Sequence, residues 1–207
     1  VGSDGETHQG IYDISYFLHM PNMTMMMPKN GVELEKMLDF ALNRMDSPVA
    51  IRYPRGEVSL RYSDNCNDIE YGKGEILKDG EKIAVLSAGS MLDEADDVCT
   101  LLEKDGYRPV LVNLRFAKPV DKELIKNVCE KCEYVFTIED NVFEGGVGCA
   151  VLETINEEEN IKNVAFHAFA FPDKFIEHGT RKELYARYGL DGKTIYSEIK
   201  KRVENNG

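Results

Sequence analysis

The sequence predicts an α/β chain whose larger, later part holds a mainly parallel sheet covered by helices. Two observations carry this. From residue 82 onward, short apolar runs alternate with amphipathic stretches long enough for helices, and strands joined through helices run parallel. Residues 57–81 are rich in Ser, Asp, Asn, Gly and Glu with few paired apolar positions. They read as a linker between two compact units, with a boundary near residue 70.

In the first unit, Ile11–Leu18 is apolar and aromatic and long enough for a helical turn or two before Pro21. Met23–Met27, bounded by Pro21-Asn22 and Pro28-Lys29-Asn30-Gly31, reads as a short buried strand. Leu34, Met37, Leu38, Ala41, Leu42 and Met45 recur at steps of three and four, which puts an apolar stripe on a helix over Val32–Arg44. Val49–Tyr53 is a strand that stops at Pro54-Arg55-Gly56, because proline has no N–H and restricts the residue before it. This first unit has too little chain to close a sheet of its own.

In the second unit the expected strands are Lys82–Ser87, Pro109–Leu114, Tyr134–Ile138 and Asn163–Phe171. The intervening helices are Leu92–Lys104, Lys122–Cys132 and Val147–Glu158, with two more to close the chain. Thr180 and Glu183 form a capping box for a helix over Leu184–Tyr188, and Gly189 ends it.

Composition narrows the function. The 207 residues can bury a real core, so no disulfide framework is needed. Lys and Arg total 25 against 37 Asp and Glu, a net charge of -12, which argues against nucleic acid or an anionic membrane as a general partner. The longest uncharged stretch, Ile14–Pro28, is too short to span a bilayer. Five Cys, an odd number, suit a reducing, cytosolic setting. The chain opens on Val1 with neither an initiator Met nor a targeting pattern, which reads as a cut end.

Several motifs carry possible chemistry. Cys129-Glu-Lys-Cys132 has redox and zinc spacing, but it falls at the C-terminal end of its helix with no second pair of ligands, so both thiols read as core. Gly145-Gly146-Val147-Gly148 opens a helix after a strand as a phosphate cradle would. However, Glu139, Asp140 and Glu144 crowd the approach, and a tight turn is the better reading. The run Glu157-Glu158-Glu159 reads as a solvated helix end. Met20, Met23, Met25, Met26 and Met27 read as core filler, His167 as a partly buried structural residue beside Phe169 and Phe171, and His178 as a loop residue; His19 receives no role.

The first ten residues differ. Asp4 and His8 lie four apart on a Gly-flanked segment entering a short helix, and an imidazole there can exchange protons at neutral pH. Arg52 and Arg55, at a strand end, make a possible fork for a phosphate or carboxylate. By spacing alone, the loop His can be structural and the Arg pair can be ordinary surface ion-pair formers.

Taken together, Asp4-Gly-Glu-Thr7-His8-Gln9-Gly10, Tyr12-Asp13-Ile-Ser15-Tyr16, Ala50-Ile-Arg52-Tyr-Pro-Arg55-Gly56, Phe116-Ala-Lys118-Pro119-Val-Asp121, Glu139-Asp-Asn141 with Gly145-Gly-Val-Gly148, and Pro172-Asp-Lys-Phe-Ile176 resemble the 1-deoxy-D-xylulose-5-phosphate synthases. These belong to the transketolase-like, thiamine diphosphate-dependent enzymes. The resemblance runs in order along essentially the whole chain.

It implies that residues 1–69 are the C-terminal part of a pyrimidine-binding domain plus linker, and that residues 70–207 are a transketolase-type C-terminal domain. It further implies an enzyme that joins pyruvate, after decarboxylation on thiamine diphosphate, to glyceraldehyde 3-phosphate, for isoprenoid, thiamine and pyridoxal synthesis. His8 would then be catalytic, hydrogen-bonding or protonating the acceptor carbonyl. Asp4 would orient the acceptor hydroxyl or His8, and Arg55 would pair with the acceptor phosphate.

By the family pattern, the magnesium ligands and the Gly-His-Ser and Gly-Asp-Gly elements lie in a domain ahead of Val1. So do the Glu that activates the aminopyrimidine, the aromatic residue stacked on it and a second phosphate-binding Arg. No cofactor-binding or metal-binding residue is therefore expected here, and the chain alone should turn nothing over. Glu6 and His178 depart from the family pattern and read as neutral variation. The resemblance also implies a homodimer in a bacterial cytoplasm. Two other readings stay open: a stand-alone interaction or dimerisation module, and the β subunit of a 2-oxoacid dehydrogenase, against which the Asp4–Gly10 element speaks.

Overall fold

A computed structural model of the chain describes residues 2–64, 66–158, 161 and 164–205. Five strands form the main sheet: β3 (Glu75–Lys78), β4 (Lys82–Ser87), β5 (Val110–Asn113), β7 (Cys132–Val142) and β8 (Ala165–Phe171). Their order is β3-β5-β4-β7-β8. All pairs are parallel except β3 with β5.

Alternation along each strand sends side chains to two apolar layers. Ile83, Val85, Leu111, Phe136, Ile138, Phe169 and Phe171 face one layer. That layer is covered by α3 (Leu92–Lys104), α6 (Arg181–Tyr188) and α7 (Gly192–Asn205) through Val98, Leu102, Leu184, Ile195 and Ile199. Ala84, Leu86, Val110, Val112 and Val135 face the other, covered by α4 (Lys122–Lys131) and α5 (Val147–Glu157) through Ile125, Val128, Val147 and Val151. The helix-covered, mainly parallel sheet agrees with expectation. The expected strand from Asn163 begins at Ala165, and Asn163 and Glu159 lie outside the described residues. The Thr180–Glu183 capping box is present, and Gly189 ends α6 in the left-handed region at φ 71.

The first unit contributes α1 (Asp13–Leu18), β1 (Thr24–Met26), α2 (Gly31–Arg44) and β2 (Val49–Ile51). β1 and β2 are parallel, and the third strand of their sheet is β6 (Phe116–Lys118), antiparallel to β1. Thus the later unit lends a strand to the earlier one. Met25, Met27 and Ile14 pack into the second apolar layer, while Met26, Met37 and Phe116 form a small core beside it.

Three expectations are corrected. Residues 57–81 are not all linker: Glu75–Lys78 is the edge strand β3. The α2 stripe is not the buried face as drawn. Met37 is buried, but Leu38 and Leu42 are 51% and 74% exposed. Glu33 takes the buried place, because Lys29 and Arg115 meet its carboxylate there. Finally, Met20 is exposed rather than core, although Met25, Met26 and Met27 are buried as read.

Candidate active site

The segment before α1 is a short 3-10 helix, Gly2–Asp4, followed by a loop to Tyr12. Gly5 and Gly10 bend the loop at φ 82 and φ 70, a region that residues with a Cβ enter at a cost. Buried Gln9 anchors the loop from inside, its Nε2 donating to the carbonyls of Glu177 at 2.9 Å and Gly2 at 3.3 Å. Gly2 lies against α6: a Cβ added there would come within 2.4 Å of the Gly179 carbonyl and 2.7 Å of the Leu184 side chain. The N-terminal loop is therefore seated on the far end of the chain.

On this loop Asp4 and His8 are exposed. Arg55 Nη1 donates to both Asp4 carboxylate oxygens, at 3.0 and 2.9 Å, so the structure brings Asp4 and Arg55 together as one ion pair. The His8 Nδ1 lies 2.8 Å from Thr7 Oγ1. Its backbone N–H closes a turn onto Gly5 at 3.1 Å, which leaves the ring on the outer side of the loop.

Arg52 does not share a fork with Arg55, which corrects the expectation of a paired anion site. Its guanidinium is saturated by the protein. Nε donates to Asp13 at 2.9 and 3.1 Å, Nη1 to Asp140 at 2.6 Å, and Nη2 to the Gly10 carbonyl at 2.9 Å. Asp140 also accepts from Tyr185 Oη at 3.2 Å and Ser90 Oγ at 3.3 Å. Burial alone would raise the Asp140 carboxyl, but Arg52 outweighs it and holds the group below its ordinary range. This node ties the loop, α1, the end of β2, β7 and α6 to one point. Sequence reading missed Asp13 and Asp140 as partners because neither is near Arg52 in the chain.

The Gly145–Gly148 turn is filled by the protein itself. Glu139 Oε2 accepts from Val147 N at 2.9 Å and Oε1 from Gly148 N at 2.8 Å, the two donors a phosphate would need. A Cβ on Gly146 would lie 2.3 Å from that carboxylate, so the small residue is required by Glu139. Burial pushes the Glu139 carboxyl up to about 8 against the pull of these two N–H groups.

The remaining candidates fall into structural places. Cys129 and Cys132 are free and buried, and burial raises both thiols to about 11, which removes the reactive thiolate. His167 is half-buried with its ring edge-on to Phe169 at 4.8 Å. His178 is an exposed loop residue, and His19 Nδ1 lies 2.6 Å from the Ser15 carbonyl oxygen. Among the described residues, no group of three or more His, Cys, Asp or Glu side chains could hold a metal ion. Likewise, no helix is long and apolar enough to cross a membrane.

The family described as "Transketolase, pyrimidine binding domain" matches residues 1–60, and "Transketolase, C-terminal domain" matches residues 72–195. The chain is 46% identical over 204 residues to a 1-deoxy-D-xylulose-5-phosphate synthase of Caldanaerobacter subterraneus subsp. tengcongensis, covering 99% of the chain and 32% of that protein. It is 38% identical to the synthase of Natranaerobius thermophilus, covering 98% and 32%. The chain thus spans about a third of the length of these relatives. Among solved structures, a split-gene transketolase described as an inactive beta4 tetramer superposes with a TM-score of 0.87 at 27% identity, covering 95% of this chain and 63% of that one. Transketolase from Campylobacter jejuni shares the fold at a TM-score of 0.68 and 23% identity, covering 96% and 29%.

Proposed function

The chain belongs to the transketolase family, and from that premise we propose that it supplies the acceptor side of a 1-deoxy-D-xylulose-5-phosphate synthase active site. Residues 1–69 are read as the end of the pyrimidine-binding domain with its linker, and residues 70–207 as the C-terminal domain. The reaction is the condensation of pyruvate, with loss of CO2, and glyceraldehyde 3-phosphate.

The observation that carries the reading is the Asp4–Arg55 ion pair on the loop that holds His8. These are the three residues that the resemblance assigns to the acceptor. Arg55 offers a planar fork of donors to the acceptor phosphate, where Lys would offer a point charge. Asp4, already bonded to Arg55, can accept from the acceptor hydroxyl as the phosphate takes over part of the guanidinium. An exposed imidazole can donate a proton to the acceptor carbonyl oxygen as it becomes an alkoxide. The saturated Arg52 node fixes the loop from behind and so sets where these groups stand.

Thiamine diphosphate, which supplies the carbanion chemistry in this family, and Mg2+ do not fit the residues described here. The turn suited to a phosphate is closed by Glu139, and no carboxylate cluster suits a metal among the described residues. We place the ligands of both groups in the part of the relatives that this chain does not span. A homodimer in the bacterial cytoplasm belongs to the same proposal.

The test replaces the corresponding third of the Caldanaerobacter relative with these 207 residues and measures product from pyruvate and glyceraldehyde 3-phosphate. The hybrid is expected to form product and the 207-residue chain alone none. His8→Ala in the hybrid should slow product formation while thiamine diphosphate affinity is kept. A folded hybrid with no activity contradicts the proposal, and a lost cofactor affinity in His8→Ala would move His8 out of the acceptor site.

A further inference from the structure

Gln9 follows His8 directly and is turned the other way. It is buried, at 4% exposure, whereas Asp4, Glu6, Thr7, His8 and Gly10 are exposed. Its Nε2 donates to the Glu177 carbonyl at 2.9 Å and to the Gly2 carbonyl at 3.3 Å. Glu177 belongs to the later unit, on the loop 172–180 that joins β8 to α6. That loop is itself fixed, because Ile176 is fully buried in the first apolar layer. The Gln9 amide is thus a direct hydrogen bond from the His8 loop to the C-terminal unit.

The place of the His8 ring depends on this anchor. Among the described residues its hydrogen-bond partner is Thr7 Oγ1, at 2.8 Å, and Thr7 rides on the same loop. The imidazole therefore inherits its position from the backbone of residues 5–10. That backbone turns on a glycine at each end, Gly5 at φ 82 and Gly10 at φ 70, and glycine permits wide rotation. The exit of the loop is held from outside: the Gly10 carbonyl accepts from Arg52 Nη2 at 2.9 Å and the Ile11 carbonyl from Val142 N at 2.9 Å. Its interior is held by Gln9. Removing Nε2 takes that donor from the Glu177 carbonyl, while the Gly2 carbonyl keeps the Gly179 N–H at 3.3 Å. The two ends of the loop would stay seated, and residues 6–9 could swing between the two glycines.

We propose that Gln9 is a positioning residue of the acceptor site, through which the C-terminal unit sets the His8 imidazole against the acceptor carbonyl. The inference rests on the acceptor-site reading and gives the loop 172–180 a part in the reaction, played through the Glu177 carbonyl. A proton donor must lie within hydrogen-bond reach of the oxygen it protonates, and a displacement of about 1 Å can cost on the order of a hundredfold in rate. An amide held by two carbonyls one residue away fixes the imidazole more closely than the glycine turns alone could.

The experiment is a double-mutant cycle in the hybrid synthase, with Gln9→Met, His8→Ala and the two combined. Met keeps the length of the side chain and removes its N–H donors. Gln9→Met should lower kcat about tenfold or more, with the KM for pyruvate and the affinity for thiamine diphosphate kept. In the His8→Ala background the same change should cost little further, because its effect runs through the imidazole. In the 207-residue chain, Gln9→Met should speed amide hydrogen exchange at His8, whose N–H closes the turn onto Gly5, and leave β4 and β7 unchanged.

Equal losses with and without His8 overturn the inference, as does an unchanged kcat in Gln9→Met; both leave the acceptor-site reading standing where His8→Ala slows the reaction. A raised KM for pyruvate or weakened thiamine diphosphate binding overturns it by showing a general disturbance. A His8→Ala hybrid as fast as its parent removes the acceptor-site reading and this inference with it. If Gln9→Met unfolds the hybrid, Gln9→Asn, which keeps an amide but is one methylene shorter, enters the same cycle and is read by the same outcomes.

Discussion

Replacing Glu33 by Gln tests how the two units are held together. The carboxylate is fully buried and accepts from Lys29 N at 2.7 Å, Lys29 Nζ at 2.9 Å, Arg115 Nε at 2.8 Å and Asn113 Nδ2 at 3.2 Å. Glu75 completes the cluster, bonded to Lys29 and Arg115 at 2.5 and 2.9 Å, so two buried cations face two buried anions. Lys29 and Glu33 come from the first unit, and Glu75, Asn113 and Arg115 from the second. Gln keeps the shape but removes one negative charge and turns an NH2 group toward donors. Breaking a buried pair from one side costs about 3–5 kcal/mol. Urea unfolding followed by far-UV circular dichroism should show that loss, and amide hydrogen exchange should speed up in α2 more than in β4 or β7.

The pH dependence has the same origin. Burial alone would raise the Glu33 carboxyl, but Lys29 and Arg115 more than offset it and hold the group below its ordinary 4.5. A depressed folded pKa means that the stabilisation is complete above pH 4.5 and is lost as pH falls through the folded value. A Glu33→Gln variant within 1 kcal/mol of the parent, or one with unchanged α2 exchange, would refute the reasoning.

Other predictions concern groups outside this cluster. Glu139 has a folded value raised from 4.5 to about 8, so its contribution is fully present below pH 4.5 and declines as pH rises to about 8. Glu139→Gln should therefore flatten the urea midpoint against pH between these limits, and an unchanged slope would count against the buried carboxyl as its source. Alkylation of the folded chain with iodoacetamide at pH 7.5 should modify Cys66 and Cys149, which are partly exposed, ahead of buried Cys129 and Cys132. Early labelling of Cys129 or Cys132, or stoichiometric zinc binding there, would restore the dithiol site that their burial argues against.

What the sequence disclosed and what it hid divide along physical lines. Alternating apolar runs such as Ile83–Leu86 and Val110–Val112 dictate strands wherever they sit, because burial on both faces needs no particular partner. The Thr180–Glu183 box and Gly189 stop are local chemistry and were equally legible. Glu33 was not, since a charged residue becomes a core residue only when Lys29, Asn113 and Arg115 arrive from elsewhere. β6 escaped notice for a similar reason. It is three residues long, follows Arg115 at φ 59, and exists by pairing with β1, some ninety residues earlier.

At the site, Asp4, His8 and Arg55 stood out through the resemblance, and the ion pair between Asp4 and Arg55 became visible only in three dimensions. Arg52 looked like Arg55's twin in the chain. Its role as a tether emerged from Asp13 and Asp140, which lie on different elements.

The central claim is that Arg55 and its neighbours receive the phosphorylated acceptor. The most direct measurement is steady-state kinetics of Arg55→Ala in the hybrid synthase, with pyruvate and glyceraldehyde 3-phosphate varied in turn. The KM for glyceraldehyde 3-phosphate should rise at least tenfold, the loss of about 1.4 kcal/mol or more of binding, with the KM for pyruvate changed little. Equal increases in both, or an effect confined to pyruvate, would contradict it.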